Sequence, residues 1–314
     1  MNHAARAAAL ILAGMTAACA SGPPPSTGLA AADPHATVID GQLWIYPTGG
    51  KGGLSLSAWS TADRTHWVKR GELIHQDRIG WIDDDGAPRH HLWAPAVITA
   101  GGHWYLYYSV GPQNPTPSRI GVAVADRPEG PFIDSGRPLL TGGNGFEAID
   151  PMVYRDPRDG THYLYAGGSD GSTLRVFVLK PDMVTIAREV AVDQPPNFTE
   201  GAFMHERNGT YYLSYSHGKW NGPSYSVHYA TAPSPTGPWR YRGVILEGDA
   251  RRQGPGHHSF VRDPASGDWL IVYHRWERPP GPGPYKGARR IAVERIAYGS
   301  DGAILPVRMT DVSP

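Results

Sequence analysis

The chain has 314 residues, 40% of them hydrophobic and rich in Gly, Pro, Tyr and Trp, which is enough for one substantial core and requires no second domain. Lys plus Arg and Asp plus Glu both total 29 and the formal net charge is zero, so there is no basic footprint for nucleic acid or anionic membranes, and the expected partner is small or uncharged. A single Cys excludes a disulfide framework.

The first residues carry one charge, Arg6, then an apolar run from Ala7 to Met15 and small residues around Cys19, the layout of an export signal and too short to span a bilayer. Thr16-Ala17-Ala18-Cys19 resembles a bacterial lipobox with Thr16 in place of the usual Leu; Ala18-Cys19-Ala20 also reads as an ordinary cleavage site. Residues 1–20 are therefore expected to be a signal peptide, with Cys19 lipidated and serving as the only link to a membrane, or with simple secretion as the alternative. Residues 21–32, rich in Pro, Ser, Gly and Ala, read as a flexible tether.

From residue 33 onward one pattern recurs five times: GQLWIYPTGG from Gly41, GGHWYLYYSVG from Gly101, DGTHYLYAGGS from Asp159, NGTYYLSYSHG from Asn208 and SGDWLIVYHRW from Ser266. Each copy is a polar turn followed by alternating aromatic and aliphatic residues, the signature of a hairpin feeding a half-buried strand. The spacing of about 50 to 60 residues suits one four-stranded antiparallel sheet per copy, which predicts an all-β, five-bladed propeller over residues 33–314. A further apolar strand follows in the first four units, then a turn and an aromatic, with Trp67, Phe132 and Trp239 at matching places as blade-packing residues. The fifth unit continues differently, from Arg289 through Ile296 to a turn at Asp301-Gly302 and a final strand to Met309. The Pro279 to Pro284 stretch is expected to be a mobile loop beside the fifth blade. No segment has sustained helical periodicity, and no phosphate loop or zinc spacing occurs.

Eight to ten residues before each turn lies the expected innermost strand, and there the chain reads Asp33-Pro34, Trp93-Ala94-Pro95, Asp150-Pro151, Glu200-Gly201 and His257-His258. Equivalent positions of a radial fold converge on one end of the central channel, so three carboxylates, a Trp and a His pair should meet there. Buried carboxylates are costly unless paired, solvated or used. Glycoside hydrolysis uses such a set: a protonated acid at the leaving oxygen and a carboxylate across the sugar ring, roughly 6.5–9.5 Å apart in inverting enzymes. Asp33 alone reads better as an Asp-Pro turn cap; its register with Asp150 and Glu200 reverses this and favours the site. Asp156-Pro157 and Asp263-Pro264 fall in tight turns and are assigned to turn chemistry. Glu147, three residues from Asp150, should face the other side of an extended strand.

Taken in order, Ala32-Asp33-Pro34, LWAP at Leu92 to Pro95, AIDP at Ala148 to Pro151, FTEG at Phe198 to Gly201 and GPGHHS at Gly254 to Ser259 resemble glycoside hydrolase family 43, five-bladed propeller enzymes acting mainly on arabinosides and xylosides. The resemblance covers Asp33 to about Met309. It implies Asp33 as the general base, Glu200 as the general acid and Asp150 as the carboxylate that positions the acid and raises its pKa. It implies a channel-centre place for His257, which in some members touches a calcium ion through water, although no cluster of acidic oxygen ligands is visible here; the chemistry itself requires no cofactor. Arg289 matches an arginine that approaches the sugar, with Arg290 of opposite strand parity as the alternative. Trp93 is expected to stack on a sugar or to pack. Ala96 stands where the family often has an acidic residue. Phe146, Phe198, Trp220 and Trp276 are candidate subsite walls, each otherwise a core residue. The implied function is an exported, monomeric, inverting hydrolase that removes terminal α-L-arabinofuranosyl or β-D-xylosyl units from plant-type saccharides. Endo-acting arabinan cleavage, a retaining fructoside hydrolase and a non-catalytic glycan-binding propeller are the alternatives.

Overall fold

The computed structural model describes residues 29–49, 51–169 and 171–311; the expected signal peptide with Cys19 and the first part of the expected tether lie outside them. Each of the five recurring segments forms the second strand of an antiparallel meander. Blade 1 is β1 (Ala32–Ile39), β2 (Gln42–Thr48), β3 (Ser55–Thr61) and β4 (Val68–His75). Blade 2 is β5 (His91–Ala100), β6 (His103–Gly111) and β7 (Arg119–Ala125), with its outer position divided between β8 (Ile133–Asp134) and β9 (Leu140–Thr141), both paired with β7. Blade 3 is β10 (Met152–Arg155), β11 (His162–Ala166), β12 (Arg175–Leu179) and β13 (Ile186–Val190); blade 4 is β14 (Glu200–Arg207), β15 (Thr210–His217), β16 (Ser226–Ala232) and β17 (Arg240–Leu246). Blade 5 has three strands, β18 (Arg252–Arg262), β19 (Trp269–Glu277) and β20 (Arg290–Ile296). Among the described residues there is no α-helix, and the five blades form a five-bladed β-propeller.

The second strands read as aromatic runs because they are covered on both faces by neighbouring blades. Most of their tyrosines are buried, and a buried phenol needs an acceptor. The acceptor is supplied by the outer turn of the next blade: Tyr46 donates to the Pro128 carbonyl at 3.1 Å, Tyr107 to Met183 at 2.5 Å and Tyr165 to Pro235 at 2.6 Å. In blades 1 to 3 one residue therefore joins hydrophobic burial to an inter-blade clasp, each such bond contributing about 1 kcal/mol. Phe132 is buried, and Trp67 and Trp239 pack against the core clusters, as their matching places suggest.

Three details depart from expectation. Leu29 to Ala31, placed in the tether, instead bind the last blade: Ala31 N–H donates to the Arg289 carbonyl and Ile291 N–H to that of Leu29, while Leu29 packs on a cluster shared by blades 1 and 5. The ring is thus fastened across its ends. The expected final strand to Met309 is irregular. After a bridge between Tyr298 and Ile304 the tail crosses to blade 4, where Val307 N–H reaches the Ile245 carbonyl and Met309 is buried. The Pro279 to Pro284 loop is anchored at its end, because Tyr285 is buried against Trp276 and donates its N–H to the Asn221 carbonyl at 2.6 Å.

Candidate active site

Four of the five innermost strands are interrupted by the same device. Cross-strand register jumps between Ala32 and His35, Trp93 and Ala96, Glu200 and Phe203, and Gly256 and His258, so each of these four carries a bulge there, while in blade 3 Asp150 lies just ahead of β10. The residue at this position has left-handed backbone in all five blades: Asp33 (φ 49), Ala94 (φ 40), Asp150 (φ 54), Gly201 (φ 62) and His257 (φ 38). Four of these are not glycine, and a bulge re-aims its side chain at some cost in strain. That strain is held by neighbouring blades. The Ala94 N–H donates to Thr48 Oγ1 at 2.9 Å, Asp150 N–H to Ser109 Oγ at 2.9 Å and His257 N–H to Ser216 Oγ at 2.8 Å. Asp33 N–H donates to His274 Nδ1 at 3.1 Å. The left-handed backbone turns Asp33, Asp150 and His257 to the cavity; Glu200 and Trp93 lie one residue ahead of the corresponding position.

Asp33, Asp150, Glu200, His257, Arg289 and Trp93 all line one cavity of about 240 Å³ together with Gln113, Ile149, Ser169 and Trp220. Arg289, rather than Arg290, faces it: its Nη1 donates to Asp33 Oδ1 at 2.9 Å and its guanidinium lies 4.9 Å from the centre of the Trp220 ring. Trp93 stacks on His91 and closes over Gly111, where a Cβ would fall 2.1 Å from the indole. Phe146 is elsewhere. It is buried in a small core cluster with Ile120, Ala148 and Ala166 beneath the Arg175 guanidinium, because its backbone folds back at the Gly143 bridge, so its expected place as a subsite wall is corrected. Phe198 and Trp276 are likewise buried packing residues, whereas Trp220 is 42% exposed. Glu147 accepts from Ser118 away from the cavity. Asp156 and Asp263 cap their turns and hold Tyr211 and Arg64 of adjoining blades.

Electrostatics separate the carboxylates. Burial alone would raise Asp33, but Arg289 first, then His274 and the charge of His257, outweigh it and hold the carboxyl well below its usual range. Thr48 also donates to Asp33 Oδ2 at 2.5 Å. Glu200 moves the other way, to about 7, first through burial and second through the charge of Asp150, against hydrogen bonds from Tyr225 and Ser169. Burial is the larger cause and Asp150 the smaller. His257 is raised to about 9: its burial is outweighed by Asp150, whose Oδ2 lies 3.4 Å from Nδ1, and by Asp33 at 3.8 Å. Near neutral pH the site therefore combines an ionised Asp33, a Glu200 that still holds its proton in about half of the molecules, and an imidazolium between two acidic side chains. Two cations offset two anions, and ionising Glu200 would leave one buried negative charge uncompensated.

The side chains around His257 do not supply a direct set of ligands for a calcium ion. Such an ion takes six to eight oxygens, whereas His257 Nδ1 is turned to Asp33 and Asp150, Asp33 is already held by Arg289 and Thr48, and no group of three or more His, Cys, Asp or Glu among the described residues could hold a metal.

A protonated carboxylic acid and an ionised carboxylate in one cavity can donate and accept a proton in the same event, which is the chemistry of a glycosidase. The family model described as glycosyl hydrolases family 43 matches residues 25–304. The chain belongs to this family. It is 34% identical over 297 residues to the β-D-galactofuranosidase xynD of Aspergillus niger, covering 89% of this chain and 83% of that one. It is 30% identical over 331 residues to a xylosidase/arabinosidase of Bacteroides ovatus, covering 89% and 95%. Among solved structures it is similar to CoXyl43, a β-xylosidase/α-arabinofuranosidase from a compost metagenome solved with xylotriose in a calcium-free form, with a TM-score of 0.71, 28% identity and coverage of 90% and 96%. This family 43 enzyme is therefore a glycosidase with a carbohydrate substrate.

Several residues of the site are not apparent from the motifs. Tyr225, Ser169, Gln113 and His274 reach it from second strands or from loops, outside the five dipeptides. The hydroxyls that hold these left-handed positions left a visible signal: Thr48, Ser109 and Ser216 end the recurring segments as YPT, YYS and SYS.

Proposed function

We propose that this chain removes single terminal pentosyl units, α-L-arabinofuranosyl or β-D-xylosyl, from plant-type oligo- and polysaccharides by one displacement with inversion. The observation that carries the reading is the opposed protonation of Glu200 and Asp33 within one small cavity. Glu200 gives its proton to the glycosidic oxygen as the bond from that oxygen to C1 breaks. Asp33 takes a proton from water as the water oxygen bonds to C1 on the opposite face. Glu200 ends ionised and Asp33 protonated, and exchange with solvent restores both. Arg289 and His257 keep Asp33 ionised until the water is deprotonated. Asp150 acts on Glu200 through space and holds His257.

Removal of one unit at a time is favoured by volume, since about 240 Å³ lies below the roughly 300–1,000 Å³ of most small-molecule sites. Pentosides are favoured by the xylosidase and arabinosidase relatives. A β-D-galactofuranoside is the second reading, favoured by the 34% identical relative of that name. Initial rates on aryl α-L-arabinofuranoside, β-D-xyloside, β-D-galactofuranoside and β-D-fructofuranoside are expected to be highest on one of the first two. A proton NMR time course should then show the inverted anomer first. The retained anomer as first product would overturn the single displacement, and turnover confined to long arabinan would overturn the exo mode.

Export belongs to the same proposal, supported by Arg6, the apolar run and the lipobox-like Thr16 to Cys19. In a bacterial host the full chain should partition with membranes, and Cys19→Ser should release it to the soluble exported fraction. Equal partitioning of the two would count against lipidation.

A further inference from the structure

Beside the proposed acid lies a buried tyrosine that the chemistry above does not use. Tyr225, immediately before β16, is 1% exposed, and its hydroxyl donates to Glu200 Oε1 at 2.7 Å. A further pair of donors stands behind this bond. The backbone N–H of His257 can only donate, and Ser216 Oγ accepts it at 2.8 Å. Ser216 is also a hydrogen-bond neighbour of Tyr225. With the Tyr225 proton on Glu200, the Tyr225 oxygen is left to accept that of Ser216. Amide, serine and tyrosine then form one chain of donors running to Glu200. The other carboxyl oxygen has a different neighbour. Oε2 lies 2.8 Å from the hydroxyl of Ser169, a cavity-lining group that accepts from Gln113 Nε2 at 3.3 Å and can rotate either to donate or to accept.

A carboxyl oxygen that accepts from a phenol O–H cannot carry a proton of its own without setting two hydrogens against each other. We infer that Tyr225 is a positioning residue for Glu200: it holds Oε1 as an acceptor and confines the transferable proton to Oε2, on the cavity side. The inference rests on the reading of Glu200 as the general acid. The same phenol ring stacks on His274 at 5.8 Å with planes 12° apart, and His274 holds the N–H of Asp33, so one side chain braces both proposed partners in proton transfer. Gly256 makes the space, since a Cβ there would fall 2.0 Å from the Tyr225 ring.

The charged groups facing Glu200 are Asp150 from blade 3 and His257 from blade 5; Tyr225 faces these and Asp33, with His274 against its ring and Arg289 beyond Asp33. Tyr225→Phe changes none of them and removes one donor that favours ionised Glu200. The alkaline limb of kcat/KM should therefore move upward by about one pH unit. Below that limb, kcat on a glycoside with an alkyl leaving group should fall about tenfold, with KM unchanged and a dinitrophenyl glycoside little affected. A variant that merely loosened the cavity would admit water, leave the limb in place or lower it, and slow both substrates equally; that result overturns the inference. Ser216→Ala, which cuts the chain but keeps the phenol, should move the limb in the same direction by less, and carries the test if Tyr225→Phe does not fold; an unmoved limb there overturns it. Glu200→Gln separates the two levels. A limb that persists in Glu200→Gln removes the acid assignment itself, whereas one that vanishes there yet stays fixed in Tyr225→Phe overturns only the role of Tyr225.

Discussion

Glu200→Gln is expected to lower kcat by roughly 10³-fold on glycosides with alkyl or sugar leaving groups and far less on a dinitrophenyl glycoside. A dinitrophenolate departs without a proton, so only the poor leaving group exposes the loss of an acid. The pH profile supplies the second part of the test. With Glu200 raised to about 7 and Asp33 held well below the usual carboxylate range, kcat/KM of the unaltered enzyme should be level through mildly acidic pH and fall tenfold per unit above about 7. In Glu200→Gln that alkaline limb should vanish. Stability should respond as well. An unfolded Glu titrates near 4.3, so the contribution of neutral Glu200 to stability is complete below that pH and is lost as pH rises through about 7. Gln has nothing to ionise, and the variant should gain more in Tm at pH 8 than at pH 4. Equal losses on both leaving groups, with the limb intact, would remove Glu200 from the acid role.

The fold was legible because a propeller repeats one physical problem five times. Each second strand must be apolar on both faces and begin at a tight turn, and GGHWYLYYSVG or NGTYYLSYSHG state that solution openly. The ends of the ring were less legible, since Leu29 to Ala31 and the tail to Met309 bind by a few backbone hydrogen bonds that impose no periodicity. At the cavity, Asp33, Asp150 and His257 could be aligned because they occupy one left-handed position per blade, and that position needs a specific backbone more than a specific side chain. Tyr225 and His274 could not be aligned. Each comes from a single blade and its place depends on neighbours such as Gly256, whose missing side chain makes the room. Phe146 misled for the same reason: proximity in sequence to Asp150 says little about direction when the intervening backbone is irregular.

Asp33 and Glu200 are both buried carboxyls, and what distinguishes them is the identity of their neighbours. Asp33 is met by a guanidinium, a threonine hydroxyl and two histidines; Glu200 is met by two hydroxyls and the charge of Asp150. The contrast gives the second large prediction its form. Asp33→Asn preserves shape and several of these contacts but cannot take a proton from water, so kcat should fall by about 10²- to 10⁴-fold. Water must attack whatever group departs, and the loss should therefore be the same on alkyl and dinitrophenyl glycosides, unlike that of Glu200→Gln. The alkaline limb near 7 should persist, because Glu200 is still present, although His257 and Arg289 then face one anion fewer and favour ionised Glu200, which draws the limb downward. A leaving-group-dependent loss in Asp33→Asn would mean that Asp33 serves departure of the leaving group, and the assignment of the two proton-transfer roles would have to be exchanged.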